Sequence, residues 1–160
     1  MLLSLILQQN MPIEFHTEEP LQFTFQKKTS TTKWLEEVIK REGGILAEEG
    51  DLNYIFCTDD YLYQMNVEYL QHDTLTDVIT FDNSEDTSDK IIEGDIFISL
   101  DRVRDNAQSL NNEEEVELNR VIVHGLLHLL GYGDKTPADE RLMRQKEDFY
   151  LAIFIHKTER

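Results

Sequence analysis

The sequence predicts one α+β domain, in which a small mixed sheet of about four strands packs on about five helices. Two observations point to this class. Short runs with strand-like alternation are interleaved with longer runs of helical periodicity, and 40% of the 160 residues are hydrophobic, enough for a real core. A third observation is an apolar helical run late in the chain, residues 121–130, which carries two histidines and predicts a central, buried helix.

The N-terminal run over residues 2–7 is apolar but short. It lacks the positive flank of a signal peptide and is too short to span a bilayer, so we expect no membrane anchor. Met11 is a candidate start. We therefore expect residues 1–10 to be a mobile or wrongly assigned extension, and residues 11–160 to form the single domain.

The next stretch predicts a strand, a helix and two further strands. Apolar alternation over residues 21–25 indicates a strand, and the hydroxyl residues 30–32 offer N-caps for a helix that ends at the glycines 43–44. Two more strands are predicted over residues 45–47 and 52–57, joined by a turn at Gly50 and Asp51. We expect these two strands to pair as a hairpin.

Thr58 is a good N-cap for a helix whose one face carries Leu62, Met65 and Asn66. The two apolar side chains are expected in the core. Asn66 is a polar residue on that buried stripe, so it either satisfies local backbone groups or serves a site. His72 follows in a polar turn and is a weaker metal candidate than the residues discussed below.

Residues 77–81 predict a short strand, followed by an acidic surface loop up to residue 90. Residues 91–100 predict another strand, interrupted at Gly94 and Asp95. A glycine within a strand marks a bulge or a close backbone approach. Beside a site, such a gap could admit a phosphate backbone.

The last third of the chain predicts three helices. Ser99 caps the first and the asparagines 111–112 end it, and the acidic residues 113–115 open the second. Thr136 caps the third, which we expect to turn Leu142, Phe149, Ile153 and Phe154 inward. Its solvent side would present Arg141, Arg144 and Lys146, one of the few basic clusters in the chain.

His124 and His128 are four residues apart on the second of these helices, so they share one face and can bind one metal ion. Gly131 ends the helix and lets Asp134 turn back toward them. The simpler alternative is a pair of core histidines, but burying both without a partner would be costly. The metallopeptidase pattern does not apply, because its glutamate position is Gly125. We predict one open Zn²⁺ site held by His124, His128 and Asp134.

Three blocks in this order resemble the YbeY family of bacterial endoribonucleases. The histidine block reads HGLLHLLGYGD over residues 124–134, a second block reads TDVITF over residues 76–81, and a third reads GDIFIS over residues 94–99. The resemblance implies a zincin-like metal helix and single-strand-specific, metal-dependent cleavage of RNA. It also implies a role in maturing the 3′ end of 16S ribosomal RNA and in ribosome quality control, with the small ribosomal subunit or its associated factors as partners.

The chain departs from the family pattern at two positions. Asp134 stands where the family usually has a third histidine, and Leu70 stands where it usually has an arginine. The resemblance makes Asn66, Thr76 and Asp77 candidate substrate-binding residues, and the basic pair Arg141 and Arg144 joins them. No residue near the histidines is identified as a general base.

The composition of the chain limits which of these functions and partners we expect. The net charge of −17 repels nucleic acid at long range, so we expect weak RNA engagement without a partner and no DNA binding. The single cysteine, Cys57, excludes an internal disulfide and fits the cytoplasm, where it would be a small core residue. The charge and Leu70 also favour an alternative function, a ribosome-assembly factor whose metal is structural and which has little nuclease activity.

Overall fold

A computed structural model describes residues 13–46, 52–71, 75–84 and 91–158. The strands are β1 (Ile13–Thr17), β2 (Ile45–Leu46), β3 (Leu52–Cys57), β4 (Val78–Asp82), β5 (Ile91–Ile92) and β6 (Gly94–Ser99). The helices in these ranges are α1 (Lys28–Arg41), α2 (Asp59–Leu70), α3 (Leu100–Ser109), α4 (Glu114–Leu129) and α5 (Pro137–Thr158). The predicted extension over residues 1–10 lies outside the described residues, and so does His72.

Four strands form the main sheet in the order β1-β3-β6-β4. β1, β3 and β6 are parallel, and β4 pairs with β6 in the antiparallel sense. The larger hydrophobic core joins this sheet to α1, α4 and α5, whereas a smaller cluster of Cys57, Leu62 and Ile79 joins it to α2. The predicted α+β class with a mixed four-stranded sheet is confirmed, and Cys57 is a buried core residue.

The hairpin predicted between residues 45–47 and 52–57 is wrong. β2 pairs with β5 in parallel as a separate two-stranded sheet, and β3 lies in the middle of the main sheet between β1 and β6. The physical reason is visible in β3 itself, where five of the six residues are buried. A strand covered on both faces is apolar along its whole length and occupies the centre of a parallel sheet rather than one arm of a hairpin.

The strand predicted over residues 21–25 is also wrong, although its alternation is real. The rings of Phe23 and Phe25 each lie 5.2 Å from the ring of Phe56, but the segment adopts no strand within the described residues. It contacts β1 through a hydrogen bond from Thr17 Oγ1 to the Phe23 carbonyl oxygen, at 2.9 Å, and through the rings of Phe25 and Phe15, whose centroids lie 4.8 Å apart. Alternation shows which side chains reach the core, and an irregular segment can satisfy it as well as a strand.

Helix starts follow local capping chemistry at three of the predicted positions. Thr58, Ser99 and Thr136 each accept a hydrogen bond from the backbone N–H three residues further on, at 3.1–3.2 Å. The prediction for α1 is wrong, because this helix begins at Lys28, ahead of the hydroxyl residues 30–32. Two of those residues are buried threonines. Packing of the first turn therefore outweighs the roughly 1 kcal/mol that a cap supplies.

The predicted inward face of α5 is only partly correct. Phe154 is buried, but Leu142 and Phe149 are 43% and 51% exposed. The helix is turned by one residue, so that Met143 and Tyr150 face the core instead. Glu147 lies on the same buried face of the helix, where it contacts Arg120 and His124. In the described ranges no helix is long and apolar enough to cross a membrane.

Gly94 marks a close approach of backbone and not a gap. It begins β6, and a Cβ atom there would lie 2.5 Å from the Phe81 carbonyl oxygen and 3.0 Å from Leu129. The interruption of the strand falls at Glu93. The expectation that this position leaves room for a phosphate backbone is therefore wrong, because the space is filled by β4 and α4.

At Gly125, α4 packs directly against the sheet. A Cβ atom there would lie 2.7 Å from Cγ2 of Ile96, a fully buried residue of β6. We expect Gly125→Ala to lower the free energy of unfolding by about 1 kcal/mol. Overpacking costs roughly 1–3 kcal/mol, and the better helix propensity of alanine returns about 1 kcal/mol.

Chemical denaturation of Gly125→Ala measures this effect. Gly133→Ala is the matched control, because its Cβ would meet Asp139 at an ordinary contact distance of 3.5 Å. A Gly125→Ala variant as stable as the wild type would show that relieving the contact with Ile96 costs no more than the helix propensity of alanine returns.

Candidate metal centre and its two clefts

The centre is built by the last turns of α4 and the loop after it. His124 and His128 leave the helix on one side, where their Nε2 atoms lie 2.9 Å apart. Gly131 adopts a φ of 103°, which favours glycine, and turns the chain back. Asp134 Oδ2 thereby comes to 3.5 Å from His124 Nε2 and 3.3 Å from His128 Nε2. The structure brings all three predicted ligands together.

This arrangement fits a tetrahedral metal ion. Ligand atoms about 2.0–2.2 Å from a tetrahedral centre are roughly 3.3–3.5 Å apart. The separations of Asp134 Oδ2 from the two Nε2 atoms, 3.5 and 3.3 Å, lie in that range, and the two Nε2 atoms are somewhat closer, at 2.9 Å. Two imidazole nitrogens and one carboxylate oxygen are also donors that zinc accepts. A structural zinc has four protein ligands, whereas this group within the described residues has three. The group therefore favours an open site.

Each histidine is held through its other ring nitrogen. His124 Nδ1 lies 2.8 Å from Glu147 Oε2, and His128 Nδ1 lies 2.9 Å from the Tyr132 carbonyl oxygen. A carbonyl oxygen only accepts, and so does an ionised carboxylate, so both Nδ1 atoms donate. In the neutral form of each imidazole, the lone pair of Nε2 is consequently directed to the space between the histidines and Asp134, which is the orientation that metal binding requires.

The charges around His124 are balanced by a buried ion pair. Burial favours the protonated form of Glu147, but hydrogen bonds from His124 and Arg120 outweigh burial and hold the pKa of Glu147 below its ordinary value. Burial likewise disfavours a charged His124, but the hydrogen bond and charge of Glu147 outweigh burial and raise the pKa of His124. Burial, together with the neighbouring His124, lowers the pKa of His128. Glu147 is therefore an ionised carboxylate that orients the imidazole of His124.

Sequence reasoning missed Glu147. The available signal was its position on α5, four residues after Met143 and three before Tyr150, where it interrupts a buried stripe. A buried charge requires a partner. Both partners of Glu147 come from another helix, α4: Arg120 Nη1 lies 3.0 Å from Glu147 Oε1, and His124 Nδ1 lies 2.8 Å from Glu147 Oε2.

Two clefts meet at the centre, and His124 and Asp134 line both of them. The first is about 560 Å³ and is lined by three of the predicted substrate residues, Asn66, Thr76 and Asp77, and by Leu70. Asn66 is 3% exposed, and burial raises the pKa of Asp77. The other predicted residues line the second cleft, of about 570 Å³.

The second cleft carries the basic side chains. Arg141 and Arg144 extend from α5 beside Glu147, and the Arg144 side chain is 59% exposed. Its Nη1 atom lies 3.8 Å from Glu147 Oε1, a long contact that leaves most of the guanidinium toward solvent. The predicted substrate residues therefore fall on both sides of the histidines, and an extended ligand could contact both groups only by crossing the centre.

The small α+β domain places two helical histidines and an aspartate at the junction of two clefts. This arrangement is typical of hydrolases that can hold one metal ion in an open site. Gly125 separates it from metallopeptidases, because the position of their general base here faces Ile96 of the sheet.

Comparison with known proteins narrows the class. The family model described as Endoribonuclease YbeY matches residues 13–154. Relatives named Endoribonuclease YbeY include one from Flavobacterium johnsoniae, 50% identical over 83% of this chain and 91% of its own length. Another relative, from Cytophaga hutchinsonii, is 49% identical over 87% of this chain and 94% of its own length. A solution structure from Thermotoga maritima, 27% identical, covers 92% of this chain and 91% of its own, with a TM-score of 0.63.

The chain belongs to the YbeY endoribonuclease family. The resemblance predicted from the three sequence blocks is thereby confirmed, and so is the assignment to the hydrolases that cut RNA internally. The alternative, an assembly factor with little nuclease activity, is not favoured by relatives that are named for the activity.

Proposed function

We propose that the domain over residues 11–160 is a metal-dependent endoribonuclease that binds one Zn²⁺ through His124, His128 and Asp134. The observation that carries the proposal is the position of these three donors at the junction of two clefts, with Nδ1 of each histidine held by an acceptor. The substrate is single-stranded ribosomal RNA, and the reaction belongs to late maturation of the 16S 3′ end and to ribosome quality control in the cytoplasm.

The residues around the proposed zinc site have different roles, which follow from their positions. A bound zinc ion lowers the pKa of water and polarises a phosphoryl oxygen. Glu147 and the Tyr132 carbonyl keep the two imidazoles oriented, which removes reorganisation from the reaction. Asp134 adds one negative charge relative to a third neutral histidine, so we expect the metal to be a weaker Lewis acid than it would be with a histidine at this position.

RNA would cross the centre between the two clefts. Arg141 and Arg144 supply positive charge for phosphates on one side, and Asn66, Thr76 and Asp77 supply polar groups on the other. Because the chain as a whole carries a charge of −17, long-range attraction does not concentrate RNA at this site. Presentation by the small ribosomal subunit or its associated factors would supply the missing local concentration.

Replacing both arginines with glutamine is expected to raise KM for a single-stranded RNA several-fold and to leave metal content unchanged. Each lost phosphate contact should also reduce the slope of log affinity against log salt concentration by about 0.7. Arg104→Gln is the control, because this exposed arginine pairs with Glu114 away from both clefts. An unchanged salt slope in the double variant would place the RNA backbone elsewhere.

The proposal is tested by cleavage assays on metal-free protein and on the same protein reloaded with zinc. The substrates are a single-stranded RNA with the sequence of the 16S 3′ end, its duplex, and the DNA of the same sequence. We expect cleavage of the single-stranded RNA by the reloaded protein alone. Equal cleavage by metal-free protein would contradict the proposal, and a zinc-loaded protein inert toward RNA, even on isolated small subunits, would revive the assembly-factor alternative.

A further inference from the structure

The loop that carries Asp134 is tied to the rest of the protein by a carboxylate outside the histidine block. Glu42 follows the last residue of α1, and its side chain is 8% exposed. The hydroxyl of Tyr132 donates to Glu42 Oε1, the hydroxyl of Tyr150 donates to Oε2, and Lys146 Nζ lies 3.0 Å from Oε2. Nothing in the metal chemistry described so far uses this cluster.

Tyr132 connects the cluster to the metal centre through its backbone. Its carbonyl oxygen accepts the hydrogen bond that orients His128, and it stands two residues before Asp134. The loop turns at Gly131, whose left-handed φ lets the main chain pivot. The tyrosine ring, held at its hydroxyl by Glu42 and covered by Lys146 Nζ 5.4 Å from the ring centroid, is the side-chain anchor beyond that pivot.

We propose that Glu42 is a positioning residue for the metal centre, which acts through the Tyr132 hydroxyl to fix both the acceptor of His128 and the approach of Asp134. The proposal rests on the proposed metal-binding function. It implies that α5 orients both histidines, since Glu147 holds His124 directly and the neighbouring Lys146 holds His128 through Glu42 and Tyr132.

A simple clamp between α1 and α5 is the competing explanation of the cluster. The two helices already have another tie, because Trp34 Nε1 donates to the Tyr150 carbonyl oxygen at 2.8 Å and its ring stacks on Phe154 at 4.4 Å. Docking of α1 therefore does not depend on Glu42 alone. Burial raises the pKa of Glu42, but hydrogen bonds from the tyrosines and Lys146 outweigh it and keep the carboxylate ionised at neutral pH.

The chain offers a matched pair of variants to separate the two explanations. Tyr132→Phe and Tyr150→Phe each remove one hydroxyl from the same carboxylate, but only Tyr132 belongs to the metal loop. We expect Tyr132→Phe to weaken zinc affinity about tenfold, the lower end of what outer partners of metal ligands contribute, and Tyr150→Phe to change it by less than about twofold. The melting temperatures of the two metal-free variants should fall by similar amounts.

Zinc affinity is measured by competition with a chromophoric chelator, and Glu42→Gln gives a second route. In that background, which already loosens the anchor, the additional effect of Tyr132→Phe should be smaller, since the two residues act on one interaction. Equal zinc affinities for Tyr132→Phe and Tyr150→Phe would overturn the proposal in favour of the clamp. A wild-type protein that binds no zinc would overturn the proposed function together with it.

Discussion

His124→Ala is expected to abolish both metal binding and RNA cleavage. The substitution removes one of three donors and leaves Glu147 as a buried carboxylate without its imidazole partner. Two remaining donors cannot hold zinc against solvent at ordinary concentrations. We expect kcat/KM on single-stranded RNA to fall by at least about a thousandfold, which corresponds to roughly 4 kcal/mol of transition-state stabilisation.

The measurement is a single-turnover cleavage assay with zinc in slight excess. His16→Ala is the control, because this histidine lies on β1 with its side chain half exposed and lines neither cleft. It should cleave RNA at the wild-type rate. Residual activity of His124→Ala within tenfold of wild type, at equal metal content, would show that the reaction does not depend on this centre.

Glu147→Gln is expected to weaken zinc affinity by about 10- to 100-fold and to lower cleavage in proportion at limiting zinc. The glutamine keeps the size of the side chain but loses the charge that raises the pKa of His124 and pairs with Arg120. Its amide nitrogen can also present a donor to Nδ1, which would turn the imidazole away from the orientation that zinc requires.

Asp148→Asn is the matched control for Glu147→Gln. Asp148 Oδ1 lies 2.9 Å from Nη2 of the same Arg120, but its side chain is 59% exposed and has no described contact with His124. Exposed ion pairs contribute little, so this variant should bind zinc with wild-type affinity. If both variants lose affinity equally, the arginine and not the carboxylate at His124 governs the centre.

Local rules predicted those parts of the structure whose causes lie within a few residues. Thr58, Ser99 and Thr136 cap their helices as expected, and the four-residue spacing of His124 and His128 places them on one face. The glycine stop before Asp134 has an equally local cause, since a glycine with positive φ just after the last helical turn ends the helix and redirects the chain.

Long-range pairing could not be predicted in the same way. The strand β2 pairs with β5 and not with its neighbour in sequence, β3. This pairing joins residues far apart in the chain, so no local pattern indicates it. Glu147 belongs to this category as well, because the imidazole that explains its burial stands 23 residues earlier on another helix. The apolar residues of α5 alone do not predict its phase, because one buried position of the helix is occupied by the carboxylate of Glu147.

Metal content of the purified protein, measured by elemental analysis for wild type, His124→Ala and Asp134→Ala, tests the central claim most directly. The account predicts close to one zinc per wild-type chain and its loss in both variants, with Asp134 acting in place of the family's usual third histidine. Wild-type protein that holds no transition metal even after reloading would contradict the account. The two histidines would then be polar residues of the core and not metal ligands.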